Sequence, residues 1–202
     1  NPNMKSTSDV VLSEGNLKVA SNYASGWQSA GTTFAVTSGK WYWEAKATVV
    51  AATDKTSIGV IQFDTSVVNF IGNANLDLIG ANTAGITGHG AGVGSYSYAE
   101  GDIIIVAMDI TNNKIYYGKN GTWFGTLDPA NGSGSTTQTV DNNNYCMPVL
   151  CGYGGSTWEI NFGYPAFTIS SGNADANGYG NFEYAVPSGF FALNSANLAE
   201  YG

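Results

Sequence analysis

Residues 40–50, Lys-Trp-Tyr-Trp-Glu-Ala-Lys-Ala-Thr-Val-Val, place Trp41, Trp43, Ala45 and Ala47 on one face of an extended chain. Tyr42, Glu44, Lys46 and Thr48 fall on the other. The same period recurs along the chain. Val10-Val11-Leu12 can pair with Leu17-Lys18-Val19 across Ser13-Glu14-Gly15-Asn16, and residues 27–36 and 56–63 read as extended. An apolar run from Ile103 to Met108 turns through Thr111-Asn112-Asn113 into Ile115-Tyr116-Tyr117, and two more strands lie within 147–163. No amphipathic helical stretch of useful length occurs. Short strands broken by Gly and Asn turns predict an all-β fold, a sandwich of two antiparallel sheets, as one domain over 1–202 without tandem repeats. Trp41, Trp43 and Phe162 are expected in its core, and the N-terminal strands are expected to pair with the C-terminal tail.

Charged residues are 11% of the chain, the formal net charge is -8, and all seven cations are lysines. This balance argues against nucleic acid, whose phosphates draw on clustered Lys and Arg, and against anionic membrane surfaces. No apolar stretch is long enough for a membrane-spanning helix. The neutral polar skin of Ser, Thr, Asn, Gly and Tyr suits an extracellular or virion protein. With Met4 the first methionine, the chain is expected to be an excerpt or a processed product. Cys146 and Cys151 lie five apart, on opposite faces of a strand and about 16 Å from one another, so two free buried thiols are expected.

Several segments, in order, resemble the SPRY family: "GKWYWE" at 39–44, "IGV" at 58–60, and "GD" before an apolar run, Asp109, a turn and "KNG", spanning 101–121. "PVL" at 148–150 and "WEINFG" from 158, with Pro165 and Phe167 after it, complete the series; one extra residue precedes Phe167. The resemblance covers residues 27–167, leaving 1–26 and 168–202 as extensions that complete or link the sandwich. The ending "YAVPSGFFALNSANL" is similar to SPRY-containing structural proteins of tailed phages. The resemblance implies a bent, concanavalin-like sandwich that is not an enzyme and needs no cofactor, binding protein partners through loops at one end. Asp102 and Asp109 suit side-chain bonds to turn N–H groups, Asn120-Gly121 suits positive φ at a hairpin tip, and Asn161 suits a backbone partner.

Catalytic sets are sparse. Glu44 and Glu159 stand beside tryptophans and would form a glycosidase pair only if their carboxyls lay roughly 5–9 Å apart across an open groove. The plainer reading is that both face solvent and pair with lysine. His89, the single histidine, sits in "TGHGAGVG" and supports neither a triad nor a zinc site; that stretch also lacks the strand–helix context of a phosphate loop. Residues 173–184 approach a calcium loop, with Asn173, Asp175, Asn177 and Gly178 in register, but Tyr184 stands where the bidentate Glu is needed. No metal is assigned.

The candidate ligand contacts are Tyr96, Tyr98, Trp123 and Tyr153, beside turns rich in Gly, Ser and Asn, with Ser156 and Thr157. Such mixtures offer rigid ring area and adaptable hydrogen bonds. Asn120 and Asn131 begin N-x-S/T sequons and are candidate glycan acceptors. The expected function is a non-catalytic recognition or attachment module of an extracellular or virion fibre, binding a surface glycan or protein. The alternative is an architectural subunit of a filament or virion surface, a homo-oligomer in which Val10, Val11 and Leu12 complete a neighbour's sheet.

Overall fold

This computed structural model describes residues 1–3, 5–6, 8–22, 27–51, 56–63, 76–80, 97–134 and 144–202. The strands are β1 (Val10–Ser13), β2 (Lys18–Ser21), β3 (Trp27–Gly31), β4 (Lys40–Val49), β5 (Thr56–Phe63) and β6 (Leu76–Gly80). They continue as β7 (Ile103–Asp109), β8 (Lys114–Lys119), β9 (Thr122–Trp123), β10 (Tyr145–Tyr153), β11 (Thr157–Asn161) and β12 (Phe191–Ala192). A short helix, α1 (Ser195–Tyr201), closes the chain. The larger sheet runs β1-β2-β11-β4-β7-β8-β9 with β12 against β4, and the smaller runs β3-β10-β5-β6. Among the described strands all pairs are antiparallel except β12 with β4. The expected antiparallel sandwich is therefore the fold.

Alternation places the core. By register, Trp41, Trp43 and Ala45 lie beside Met108, Val106 and Ile104 on β7, and Ala45 and Ala47 beside Ile160 and Trp158 on β11. These side chains share one buried cluster with Ala30, Ile58, Val60 and Leu150 of the smaller sheet. Phe162 packs on Phe34, with centroids 5.4 Å apart, and on Trp43, at 5.8 Å. Cys146 and Cys151, on opposite faces of β10, are buried thiols not joined in a disulfide.

Turn chemistry follows the sequence closely. β1 and β2 form the expected hairpin, with Leu12 opposite Val19 across a 3₁₀ turn at Glu14–Asn16. Asp109 accepts both the backbone N–H and the side-chain amide of Asn112, and Asp128 does the same for Asn131. Asn120 (φ 50) and Gly121 (φ 82) form the tip between β8 and β9. Asn161 donates to the Asn181 carbonyl at 2.8 Å and accepts from the Gly163 N–H at 2.8 Å, so it serves the backbone as expected.

The termini depart from expectation. The N-terminal strands pair with β11 through β2, not with the C-terminal tail. The tail, residues 164–202, instead crosses the outer face of the larger sheet as a strap. β11 stops opposite Glu44, and β12 takes the same lane beside β4 lower down, with Phe191 opposite Trp41. Phe182 meets the Tyr42 ring edge-on at 5.0 Å, Phe190 meets Tyr116 at 6.3 Å, and Lys46 lies over Phe167. The outer face of β4 is therefore covered as well.

The expected solvent-facing Glu44 is a second departure: it is 0% exposed. Its Oε1 accepts the Tyr42 hydroxyl and the Tyr184 N–H, each at 2.9 Å, and its Oε2 accepts the Glu183 N–H at 3.0 Å and the Asn161 amide at 3.3 Å. Burial pushes this carboxyl above its ordinary value, outweighing the donors that pull it down. Glu159 does pair with lysine, 3.0 Å from Lys18 Nζ. Asp175 fixes the far part of the strap: one oxygen accepts the Asn177 and Tyr179 N–H groups, the other the Ala192 N–H and the Asn197 amide.

Candidate functional site

β4 and β8 end, and β7 and β11 begin, at the same end of the sandwich, since Lys46 lies opposite Ile103, Val49 opposite Thr157, and Lys119 opposite Ile104. This topology gathers residues 97–102, the tip at 119–123 and the Gly154-Gly155 turn into one rim. Gly101 donates to the Ala47 carbonyl at 2.7 Å, and Ala47 donates to the Asp102 carbonyl at 3.0 Å, seating the first loop on β4.

A polar clamp joins that loop to the tip. Asp102 accepts the Ala99 N–H at 2.8 Å and the Asn120 amide at 2.7 Å, while Asn120 Oδ1 accepts the Ile103 N–H at 2.9 Å. Lys119 lies 3.6 Å from Asp102 and donates to the Ser97 carbonyl at 2.8 Å. Partial burial pushes the Asp102 carboxyl up, but the Ala99 N–H, the Asn120 amide and the Lys119 charge together hold it below its ordinary value. Ser97, Ala99, Glu100, Gly101, Asn120, Gly121, Thr122 and Gly154 are exposed around this clamp, and Trp123 is half-buried.

Beneath the rim lies a buried polar layer, and it corrects part of the expected contact set. Tyr98 is 4% exposed; its hydroxyl donates to the Thr56 carbonyl and its ring packs 5.4 Å from Trp158. Burial, then the nearby Cys151, pushes its phenol well above the ordinary value. Ser156 accepts from the Thr56 hydroxyl at 2.7 Å through Oγ, and its carbonyl accepts the Ser21 N–H at 2.9 Å. Ser156 and Thr157 are buried as well. Tyr98, Ser156 and Thr157 thus close the end of the sandwich from inside rather than present themselves to a ligand. The reason is satisfaction of polar groups that the two sheets bury where they meet. The backbone of Tyr153 pairs with Trp27 at the end of β10. Tyr96 and His89 lie outside the described residues.

Both candidate glycan acceptors are exposed, and both amide nitrogens are engaged. Asn120 Nδ2 donates to Asp102, and Asn131 Nδ2 donates to Asp128 at 2.6 Å. A glycan on either would take one of the two hydrogens on that nitrogen and leave a single N–H for the bond. Val10 is buried, while Val11 is 45% exposed on β1 at the edge of the larger sheet. Lys5 Nζ donates to the Val10 carbonyl at 2.9 Å, capping part of this edge.

Two arrangements that the sequence raised are not assembled among the described residues. Glu44 is enclosed by the strap, so no open groove runs between it and Glu159. Among the described residues no group of three or more His, Cys, Asp or Glu side chains is placed to hold a metal. Asp175, the acid of the calcium-like stretch, spends its lone pairs on the strap's own donors. At the opposite end a cleft of about 200 Å³ opens between the sheets, lined by Leu17, Val19, Phe34, Ile160 and Phe162 among others.

Sequence reasoning missed Glu44 and Asp175 as anchors. A signal for the first was present: Trp41-Tyr42-Trp43 puts large rings on both faces of one strand, which only a cover on each side can bury.

No family model matches the chain, and no curated protein matches it. Solved structures do. The SPRY domain of human HERC1 is 18% identical and superposes with a TM-score of 0.61, over 79% of this chain and 95% of that one. A second human SPRY domain is 12% identical with a TM-score of 0.55, over 75% and 94% of the two chains. The fold of this chain is that of the SPRY domains.

Proposed function

We propose that this chain is a non-catalytic recognition module that binds a protein or a surface glycan through the rim formed by Ser97–Asp102, Asn120–Trp123 and Gly154-Gly155. The carrying observation is the clamp of Asp102, Asn120 and Lys119, which fixes an exposed, glycine- and hydroxyl-rich surface before any partner arrives. The fold likeness adds support, since it is shared with domains of a family that binds protein partners. The setting we propose is extracellular or on a virion fibre, on the grounds of the low charge content and the phage-like C-terminal sequence.

The test is a glycan array together with a pull-down from cell-envelope extract, run with the wild type and with Thr122→Arg and Gly154→Arg variants. Binding that both variants weaken supports the reading. Blank results in both assays, or binding indifferent to both variants, would sink it.

The architectural alternative rests on the exposed Val11 at the sheet edge. Light scattering of the wild type and of Val11→Lys separates the two: concentration-dependent assembly lost in the variant favours strand addition, and a monomer throughout disfavours it.

A further inference from the structure

Tyr184 connects two features that the sequence separates. Its N–H donates to Glu44 at 2.9 Å, as does that of Glu183 at 3.0 Å, so a buried carboxylate fixes this point of the strap. Its ring lies against the hairpin tip: a Cβ at position 121 would stand 2.7 Å from Tyr184 Cδ1, a space that only glycine leaves open. The half-buried phenol is pushed up by burial and then by the charges of Glu183, Glu44 and Asp102. The ring thus sits between the strap's anchor and the clamp of the rim. Among the described residues no lysine pairs with Glu44; its hydrogen-bond donors there are Tyr42 on its own strand, Asn161 on β11 and the two strap N–H groups.

We propose that Glu44 is a positioning residue for the recognition rim, acting through Tyr184, which the carboxylate holds under Gly121 so that the Asn120–Trp123 tip keeps one conformation. This rests on the recognition reading for its purpose but not for its geometry. The strap is then a support of the binding end as well as a cover for the sheet. Part of the rim's order comes from a segment more than sixty residues further along the chain.

Hydrogen exchange of the full chain, followed by mass spectrometry, tests this without any ligand. Tyr184→Ala should raise exchange at Asn120 and Thr122 by at least about threefold while the amides of β10 stay at their wild-type rates. Tyr184→Phe, which keeps the ring, should restore the wild-type pattern. Glu44→Gln keeps one acceptor and turns an amide toward the remaining N–H donors; it should raise exchange at residues 183–184 and at the tip together. An unchanged tip in Tyr184→Ala overturns the proposal, as does a Tyr184→Phe variant that behaves like the alanine. Should Glu44→Gln fail to fold, the two Tyr184 variants decide. If exchange follows the expected pattern but the rim binds nothing, the positioning stands and the recognition reading falls. If the rim binds but the tip ignores both Tyr184 variants, the reverse holds.

Discussion

The two faces of the larger sheet are buried by different means. The inner face meets another sheet through Trp41, Trp43, Trp158 and Ile160, and its attraction is removal of apolar surface from water. The outer face meets a strap with little regular structure. Rings such as Phe182 and Phe190 contribute there, but the fastening is by buried carboxylates, Glu44 and Asp175, that accept backbone N–H groups. A sheet satisfies its own backbone, whereas an irregular cover must find acceptors elsewhere. That is why the outer face carries acids where the inner carries hydrocarbon.

Substitutions should separate these two modes. Trp43→Ala, on the inner face, should cost about 3–5 kcal/mol in urea unfolding, a cavity that rigid sheets cannot close. Glu44→Ala, on the outer face, should cost less, about 1–3 kcal/mol for donors left unpaired, and should speed proteolysis within 164–190 before the body unfolds. Equal losses with no selective cleavage would erase the distinction.

Acid titration sharpens it further. Glu44 has its folded value raised, so its contribution is present in full below the ordinary carboxylate range and is lost as pH rises through the folded value. Asp102, with its folded value depressed, behaves oppositely: its contribution is present above the ordinary range and is lost as pH falls through the folded value. Unfolding midpoints between about pH 4 and pH 8 should therefore show the wild type losing ground to Glu44→Gln as pH rises. In Asp102→Asn the acid-side loss should be reduced. The smallest effect is expected at the margin of the outer face, where Lys18→Ala breaks the ion pair with Glu159 for about 0–1 kcal/mol, with the difference vanishing in high salt.

The inner face was legible in the sequence because alternation is local: Trp41, Trp43 and Phe162 announce their side of the sheet from a few neighbours. Turn anchors were legible for the same reason, since Asp102 and Asp109 act on amides three positions away. The strap was not, because its fastening joins Glu44 to residues 139 and 140 positions along and follows no period. Tyr98 misled for a related reason. Its neighbours read as a loop, but its hydroxyl partner is Thr56, 42 residues earlier, and nothing beside it in the chain declares that the ring turns inward. The candidate rim was thus located by its turns, while which of its residues face outward depended on contacts that only the folded chain supplies.

The parallel strand β12 lies beside Trp41 and Tyr42, whose other neighbour is β7. During synthesis the middle of the larger sheet therefore waits, with one flank open, until position 192 has left the ribosome. A nascent or truncated chain offers there an apolar, unpaired edge that a second nascent chain can adopt. Shortening the gene ahead of Phe191 should yield inclusion bodies, not merely a softer fold.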